Sequence, residues 1–212
     1  MRQDDTKQKI LREALWLFST HGYDAVGVGQ IADAVGIRAS SLYNHYPSKQ
    51  AIFDAIVENT AAEYDRGTAR ISIHVGDAAR DEAGFCAVDA DALVEKVRQI
   101  FLYSLHDETV SRFRRMMTIE QFRDPKLSAM VTQRYVDRLN DYHAEIFRAL
   151  IAAGKLRAED PQALALLYTS AINVLLSVCD REPEKEAECL NRLEAHVRLF
   201  WRAFTKEAER DG

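Results

Sequence analysis

Apolar side chains recur three and four positions apart along almost the whole 212-residue chain. That spacing marks one face of an α-helix. No sustained period-two alternation is present, nor any Asn-Gly or Asp-Gly turn flanked by strand-like runs, so the pattern predicts an all-α protein. Helices are expected over 4–20, 28–35, 39–45, 48–72, 90–106, 108–122, 125–153, 161–180 and 184–208. Prolines and glycines set these limits. Asp124-Pro125 and Asp160-Pro161 read as an N-cap followed by the first helical residue, where a missing N–H costs nothing. Glu182-Pro183 reads as a similar start, and Pro47 precedes Ser48, a good cap. Gly22, Gly36 and Gly154 follow apolar runs and suit left-handed helix stops. The stretch 74–89, rich in Ala, Asp and Gly, reads as a loop.

The run GQIADAVGIRASSLYNHYPSK, residues 29–49, carries the most information. Ile31, Val35, Ile37 and Leu42 are its apolar positions. Ala32 is small enough for two helices to cross there, and Gly36 suits a turn at positive φ. A second short helix begins near Ala39. This is helix-turn-helix spacing, with the first helix supplying Ile10, Leu11, Ala14, Leu15 and Phe18 as packing partners. The Ala-to-Gly spacing alone fits an ordinary three-helix packing unit equally well. The polar residues separate the two readings. Ser40, Ser41 and Asn44 fall on the outward face of the second helix, with Tyr43 and His45 beside Lys49 at the next helix start. Such a cluster suits phosphates and base edges.

Charge and composition narrow the function. The formal net charge is -5. Residues 1–50 hold six Lys/Arg against five Asp/Glu, and residues 51–212 hold 22 against 28. DNA affinity must therefore come from a few placed cations and backbone amides. Cys86, Cys179 and Cys189 are scattered and odd in number, which argues against a disulfide framework or a zinc site and for free thiols in a reducing cytoplasm. MRQDDTKQKI has no apolar signal core, and no membrane-spanning run of about 18 apolar residues is expected. The six histidines lack metal-ligand spacing, and no phosphate loop, dinucleotide fingerprint or nucleophile elbow occurs. No catalytic residue, metal or cofactor is expected.

Residues 6–56 resemble the DNA-binding domain of the TetR/AcrR family of regulators. The resemblance rests on the Phe18 helix end, His21-Gly22-Tyr23, Ile31-Ala32, Gly36 and above all Leu42-Tyr43-Asn44-His45-Tyr46-Pro47-Ser48-Lys49. It implies a DNA-binding domain over residues 1–50 and a helical effector-binding and dimerisation domain over 51–212. It also implies a repressor of a palindromic DNA operator, released by a small-molecule effector. Tyr43, His45 and Lys49 stand where the family touches backbone; Ala39, Ser40 and Asn44 stand near bases. Ser41 and Arg38 complete the expected surface. Val26, Gly27 and Arg38 depart from the family pattern. A hydroxyl cap is lost at position 27 for glycine, at a cost of only a few tenths of a kcal/mol. Arg38 gains reach to phosphate or guanine. These departures keep open regulation by a protein partner, or with no ligand.

Beyond residue 60, RRMMTIEQFRDP, IAAGKLRAEDP and RLEAHVRLFWRAF resemble the family's C-terminal segments. The family pairs its last two helices with those of a second copy, so the resemblance implies a homodimer, with Leu193 and Trp201 in the seam. Phe101, Tyr103, Met117, Tyr142 and Tyr168 are candidate pocket walls, with His106, Glu120, Gln121 and Asn173 as polar contacts. Adaptable Met and aromatic groups suit an apolar or mixed effector.

Overall fold

The computed structural model describes residues 3–123 and 125–206, with side chains from Asp5 onward. Asp124, the expected cap before Pro125, lies outside the described residues. The elements run α1 (Gln3–His21), α2 (Val28–Val35), α3 (Ala39–Tyr43), α4 (Lys49–Ala69), α5 (Ala78–Ala87), α6 (Ala90–His106), α7 (Glu108–Glu120) and α8 (Pro125–Thr132). A π-helical turn (Gln133–Asp137) leads into α9 (Arg138–Ala152), followed by α10 (Pro161–Arg181), a 3-10 turn (Pro183–Lys185) and α11 (Glu186–Phe204). Among the described residues the only extended pairing is one antiparallel bridge, Leu156 with Thr205.

The expected punctuation is present. Gly22, Gly36 and Gly154 take φ of +81°, +79° and +72° and end their helices. Asp160 accepts from Gln162 N at 3.0 Å with Pro161 behind it. Ser48 Oγ accepts from Ala51 N at 3.0 Å.

The contacts divide the chain into two compact units: Met1–Tyr64 with His106–Ala129, and Asp65–Leu105 with Met130–Gly212. The compact unit that holds the helix-turn-helix thus extends beyond residue 50 and takes in a distant segment. In it, α1 buries Ile10, Leu11, Ala14, Leu15 and Phe18. α7 packs on α1 and buries Val110, Phe113, Met116 and Met117.

In the second unit α5 packs on α9, α9 on α10 and α10 on α11. An aromatic stack fills its centre: Phe200 lies 5.3 Å from Phe147, 5.0 Å from Tyr168 and 4.9 Å from Phe204. The stretch 74–89 corrects the sequence reading, because ten of its residues form α5. The cause is tertiary. Buried Asp81 accepts from His74 N and Nδ1 at 2.6 Å each and from Tyr142 OH at 2.5 Å. Burial pushes the Asp81 pKa up, but bonds from Tyr142 and His74 outweigh it and hold the carboxylate below its ordinary value. Arg138 ties the preceding turn by donating to Val75 O at 2.7 Å. The helix expected over 125–153 is interrupted by the π-helical turn, which nothing in the sequence marks.

α10 differs from the sequence expectation in another way. It is long and apolar enough, by length and composition alone, to cross a membrane. It buries Leu164, Ala165, Tyr168, Leu175, Leu176 and Cys179 within its own unit. Leu166, Leu167 and Val174 stay exposed, Val174 at 61%.

Candidate nucleic-acid interface

α2 and α3 are built from short signals. Gly27 caps α2 in extended backbone, and Gln30 Oε1 accepts from Gly27 N at 2.7 Å, which offsets the missing hydroxyl. Val26, the other departure, is buried as core. Ile31, Ala32 and Val35 face inward; Gly36 turns the chain, its N–H donating to Ala32 O at 2.9 Å. Lys9 Nζ donates to Val35 O at 2.8 Å, a cation at the negative end of α2. α3 is two residues shorter than expected: Asn44 is its C-cap, and His45 N and Tyr46 N both bond Leu42 O. Leu42 is its only buried side chain.

This leaves Arg38, Ala39, Ser40, Tyr43 and Asn44 exposed together on α3 and its ends, and Ser41 and His45 half-buried. Arg38 sits at the N-cap and makes no side-chain cap bond. Tyr43 is 52% exposed. His45 Nδ1 is buried with no hydrogen-bond partner among the described residues.

Lys49, expected at the phosphate backbone, is also engaged within the protein. Its ammonium donates to Tyr23 O and Val26 O, each at 2.9 Å, and lies 4.1 Å from the Tyr23 ring centroid. Two of its three N–H groups therefore fix the α1–α2 connection. Tyr23 is the hub of this support. Its N–H donates to Glu120 Oε1 at 2.8 Å and its hydroxyl to Gln50 Oε1 at 3.1 Å. The Arg123 guanidinium stacks 4.0 Å from its ring. Arg123 also pairs with Glu120 at 3.0 Å. Burial raises the Tyr23 pKa, against the lowering pull of Arg123.

The nine expected effector contacts divide between the two compact units. His106, Met117, Glu120 and Gln121 belong to the helix-turn-helix unit, and Phe101, Tyr103, Tyr142, Tyr168 and Asn173 to the other. Met117 and Phe101 are fully buried core, and Glu120 is engaged by Tyr23 and Arg123. Gln121 caps α7 and donates to Thr118 O at 2.9 Å. Tyr142 is held by Asp81. Asn173 Nδ2 donates to Tyr135 O at 3.2 Å. Tyr103 lies against Gly67, where a Cβ would come within 2.0 Å of its ring, so a side chain at position 67 would have to displace that ring.

Tyr168 does line a cavity. It walls an apolar slot of about 20 Å³ with Phe85, Leu93, His143, Phe147 and Phe200. That holds about one water. Burial drives the His143 pKa down to about 4 and raises that of Tyr168. His143 is thus neutral, its Nδ1–H donating to Leu139 O at 2.8 Å and its Nε2 left as an acceptor. Through Phe85, Val88, Leu150, Leu156 and Trp201 the slot shares its wall with a groove of about 1070 Å³. Sequence reasoning missed Phe85 and Val88 because their segment read as a loop. His143 is a lone histidine on an apolar helix face, which carries no signal of its own.

Two family models match separate parts of the chain. Residues 10–56 match the family described as bacterial regulatory proteins, tetR family. Residues 92–206 match the AefR-like transcriptional repressor C-terminal domain. The biofilm operon icaADBC HTH-type negative transcriptional regulator IcaR of Staphylococcus epidermidis is 43% identical over 53 residues, covering 25% of this chain and 29% of IcaR. The chain therefore matches less than a third of that curated relative's length. A TetR-family transcriptional regulator from Mesorhizobium loti superposes with a TM-score of 0.71 at 19% identity, covering 97% of this chain and 100% of that one. The SmeT–triclosan complex, whose protein is from Stenotrophomonas maltophilia, gives 0.68 at 21% identity, covering 96% and 93%. At these identities the likeness concerns the fold.

Proposed function

Because the chain belongs to the TetR family of bacterial transcriptional regulators, which are DNA-binding proteins and not enzymes, we propose that it is a repressor that binds a palindromic operator as a homodimer and leaves it when a small molecule binds. The observation that carries this reading is the exposed set Arg38, Ser40, Tyr43 and Asn44 on a turn braced through Tyr23, Lys49 and Glu120. Short polar groups on a rigid turn suit base edges, and Arg38 suits guanine. The His45 ring and the third Lys49 proton suit phosphate.

The dimer reading rests on α10. Leu166, Ser170 and Val174 recur every four residues on its exposed side, and a second copy of the chain is the partner a symmetric half-site reader needs. This moves the proposed seam away from Leu193, which is buried in its own unit, and from Trp201, which walls the groove. The effector reading rests on the slot and groove, and it draws support from a structural neighbour solved with triclosan. The site of action is cytoplasmic, where the operator is. A ligand releases DNA only by binding one arrangement of the paired reading heads better than another.

The test is an electrophoretic shift with DNA from upstream of its own gene, repeated across a metabolite library. Retardation that a subset of compounds reverses is the expected result. In parallel, Val174→Glu is expected to sediment as a monomer and lose the shift, since an unpaired charge in an apolar seam costs several kcal/mol. A wild-type monomer at micromolar concentration overturns the dimer reading, and DNA that no compound releases overturns the effector reading.

A further inference from the structure

The groove beside the apolar slot is rimmed by four cations, Lys155, Arg157, Arg202 and Lys206, and among the described residues no acidic side chain is in its walls. Residues 51–212 carry six more acidic than basic groups, so a cation-only rim is not the background of this region. None of the four makes a side-chain hydrogen bond or ion pair with another described residue. The backbone forces two of them together. Leu156 and Thr205 form an antiparallel bridge, Lys206 N donates to Lys155 O at 3.1 Å, and Arg157 N donates to Phe204 O at 2.8 Å. Lys155 and Lys206 are therefore direct cross-strand neighbours. Like charges opposite one another destabilise such a pairing unless a counter-charge lies between them. Side chains alternate along each bridged segment, so Lys155 and Arg157 share the face opposite buried Leu156.

Behind the cations the wall turns apolar through Phe85, Val88, Leu156 and Trp201. The slot beyond, at about 20 Å³, admits no ligand body as it stands, whereas the groove, at about 1070 Å³, has room for a small molecule. We propose that this groove binds an amphipathic anion, its carboxylate or phosphate head held by Lys155, Arg157, Arg202 and Lys206 and its acyl or aryl body laid on Phe85 and Trp201. In its regulatory sense this rests on the effector reading, of which it names the chemical class.

The experiment uses full-length protein carrying Trp16→Phe, which leaves Trp201 as the only tryptophan. Its emission is followed during titration with decanoate, decyl phosphate, decanol and decyltrimethylammonium. Saturable binding of one or both anions is expected, about tenfold or more tighter than decanol, with no binding of the cation. The tighter of the two anions names the head group. Affinity is expected to fall with added salt. It is expected to drop about a hundredfold in Lys155→Glu/Lys206→Glu, at about tenfold per charge. Arg157→Gln/Arg202→Gln gives an independent loss should the first variant fold poorly. Equal affinity for decanol or the cation overturns the proposal, as does an anion affinity indifferent to both double variants. Operator release is scored separately. Anion binding without release overturns the effector reading and leaves the anion site standing; release by uncharged compounds alone does the reverse.

Discussion

The two compact units place their polar groups in opposite ways. In the helix-turn-helix unit, polar groups brace one buried ring. Glu120, Arg123, Lys49 and Gln50 converge on one residue, Tyr23, and what remains outside is a short row of unspent donors and acceptors on α3. In the other unit the centre is aromatic, and the unspent charges rim a groove. A surface that must meet a stiff duplex at fixed spacing needs a scaffold that does not yield. A site that takes a small molecule needs shape and a few placed charges. The difference shows which residues can be exchanged freely: those that read on the first unit, and those that rim the groove on the second.

The largest expected effect breaks the reading surface and leaves its scaffold. Arg38→Ala/Tyr43→Ala/Asn44→Ala is expected to weaken operator binding by about a thousandfold or more, at roughly 1–3 kcal/mol per contact. The melting temperature should barely move, because all three side chains are exposed. Fluorescence anisotropy with calorimetry checks both. A large drop in melting temperature would place these residues in the scaffold.

Next in size is the scaffold itself. Glu120→Ala leaves the Tyr23 N–H without its buried acceptor and the Arg123 guanidinium without its ion-pair partner. It is expected to cost about 3–4 kcal/mol in denaturant unfolding. Glu120→Gln keeps a neutral acceptor and should cost less. Equal losses for the two variants would make the charge irrelevant to the brace.

The second unit is sharpened by pH. Burial holds the folded-state pKa of His143 at about 4, below its ordinary 6.5. The unfolded chain therefore binds a proton that the folded chain refuses as pH falls through that window. Stability is expected to decline by about 3 kcal/mol from pH 7 to pH 4 from this group alone. His143→Phe should flatten that part of the profile. An unchanged slope in the variant would show that the ring titrates normally in the folded protein.

The smallest effect separates clamp from brace at Lys49. Lys49→Met is expected to cost about 1–2 kcal/mol of stability through its two carbonyl bonds. The salt dependence of operator binding should then change by less than the one unit that a full phosphate contact contributes. A change of a full unit without loss of stability would restore the clamp.

What was legible in the sequence follows from the range of the interactions involved. Gly36, Leu42 and the Tyr43–Lys49 run act within a few residues of one another, so spacing located the turn and the polar residues marked its outward face. The all-helical fold and the helix stops at Gly22, Gly36 and Gly154 were equally local. The groove was not legible. Its walls come from α5, α9, the 154–157 turn and α11, and α5 itself forms around Asp81, whose partners His74 and Tyr142 lie in different parts of the chain. Lys49 was read by its type and neighbours as a phosphate contact, whereas the carbonyls it holds lie 23 and 26 residues away. Leu193 was placed in a seam because its apolar spacing cannot distinguish a face buried in the same unit from one covered by a second copy.

The central claim, that α3 and its ends read DNA sequence, is tested most directly by selecting binding sites from random duplexes with the wild-type protein and with Arg38→Ala and Asn44→Ala. The account predicts one enriched, twofold-symmetric sequence for the wild type, its half-sites about one helical turn or a multiple apart. For each variant it predicts relaxed preference at one base position per half-site, worth roughly 1–3 kcal/mol, with the others kept. No enriched sequence for the wild type, or the same sequence enriched equally by all three proteins, would contradict it.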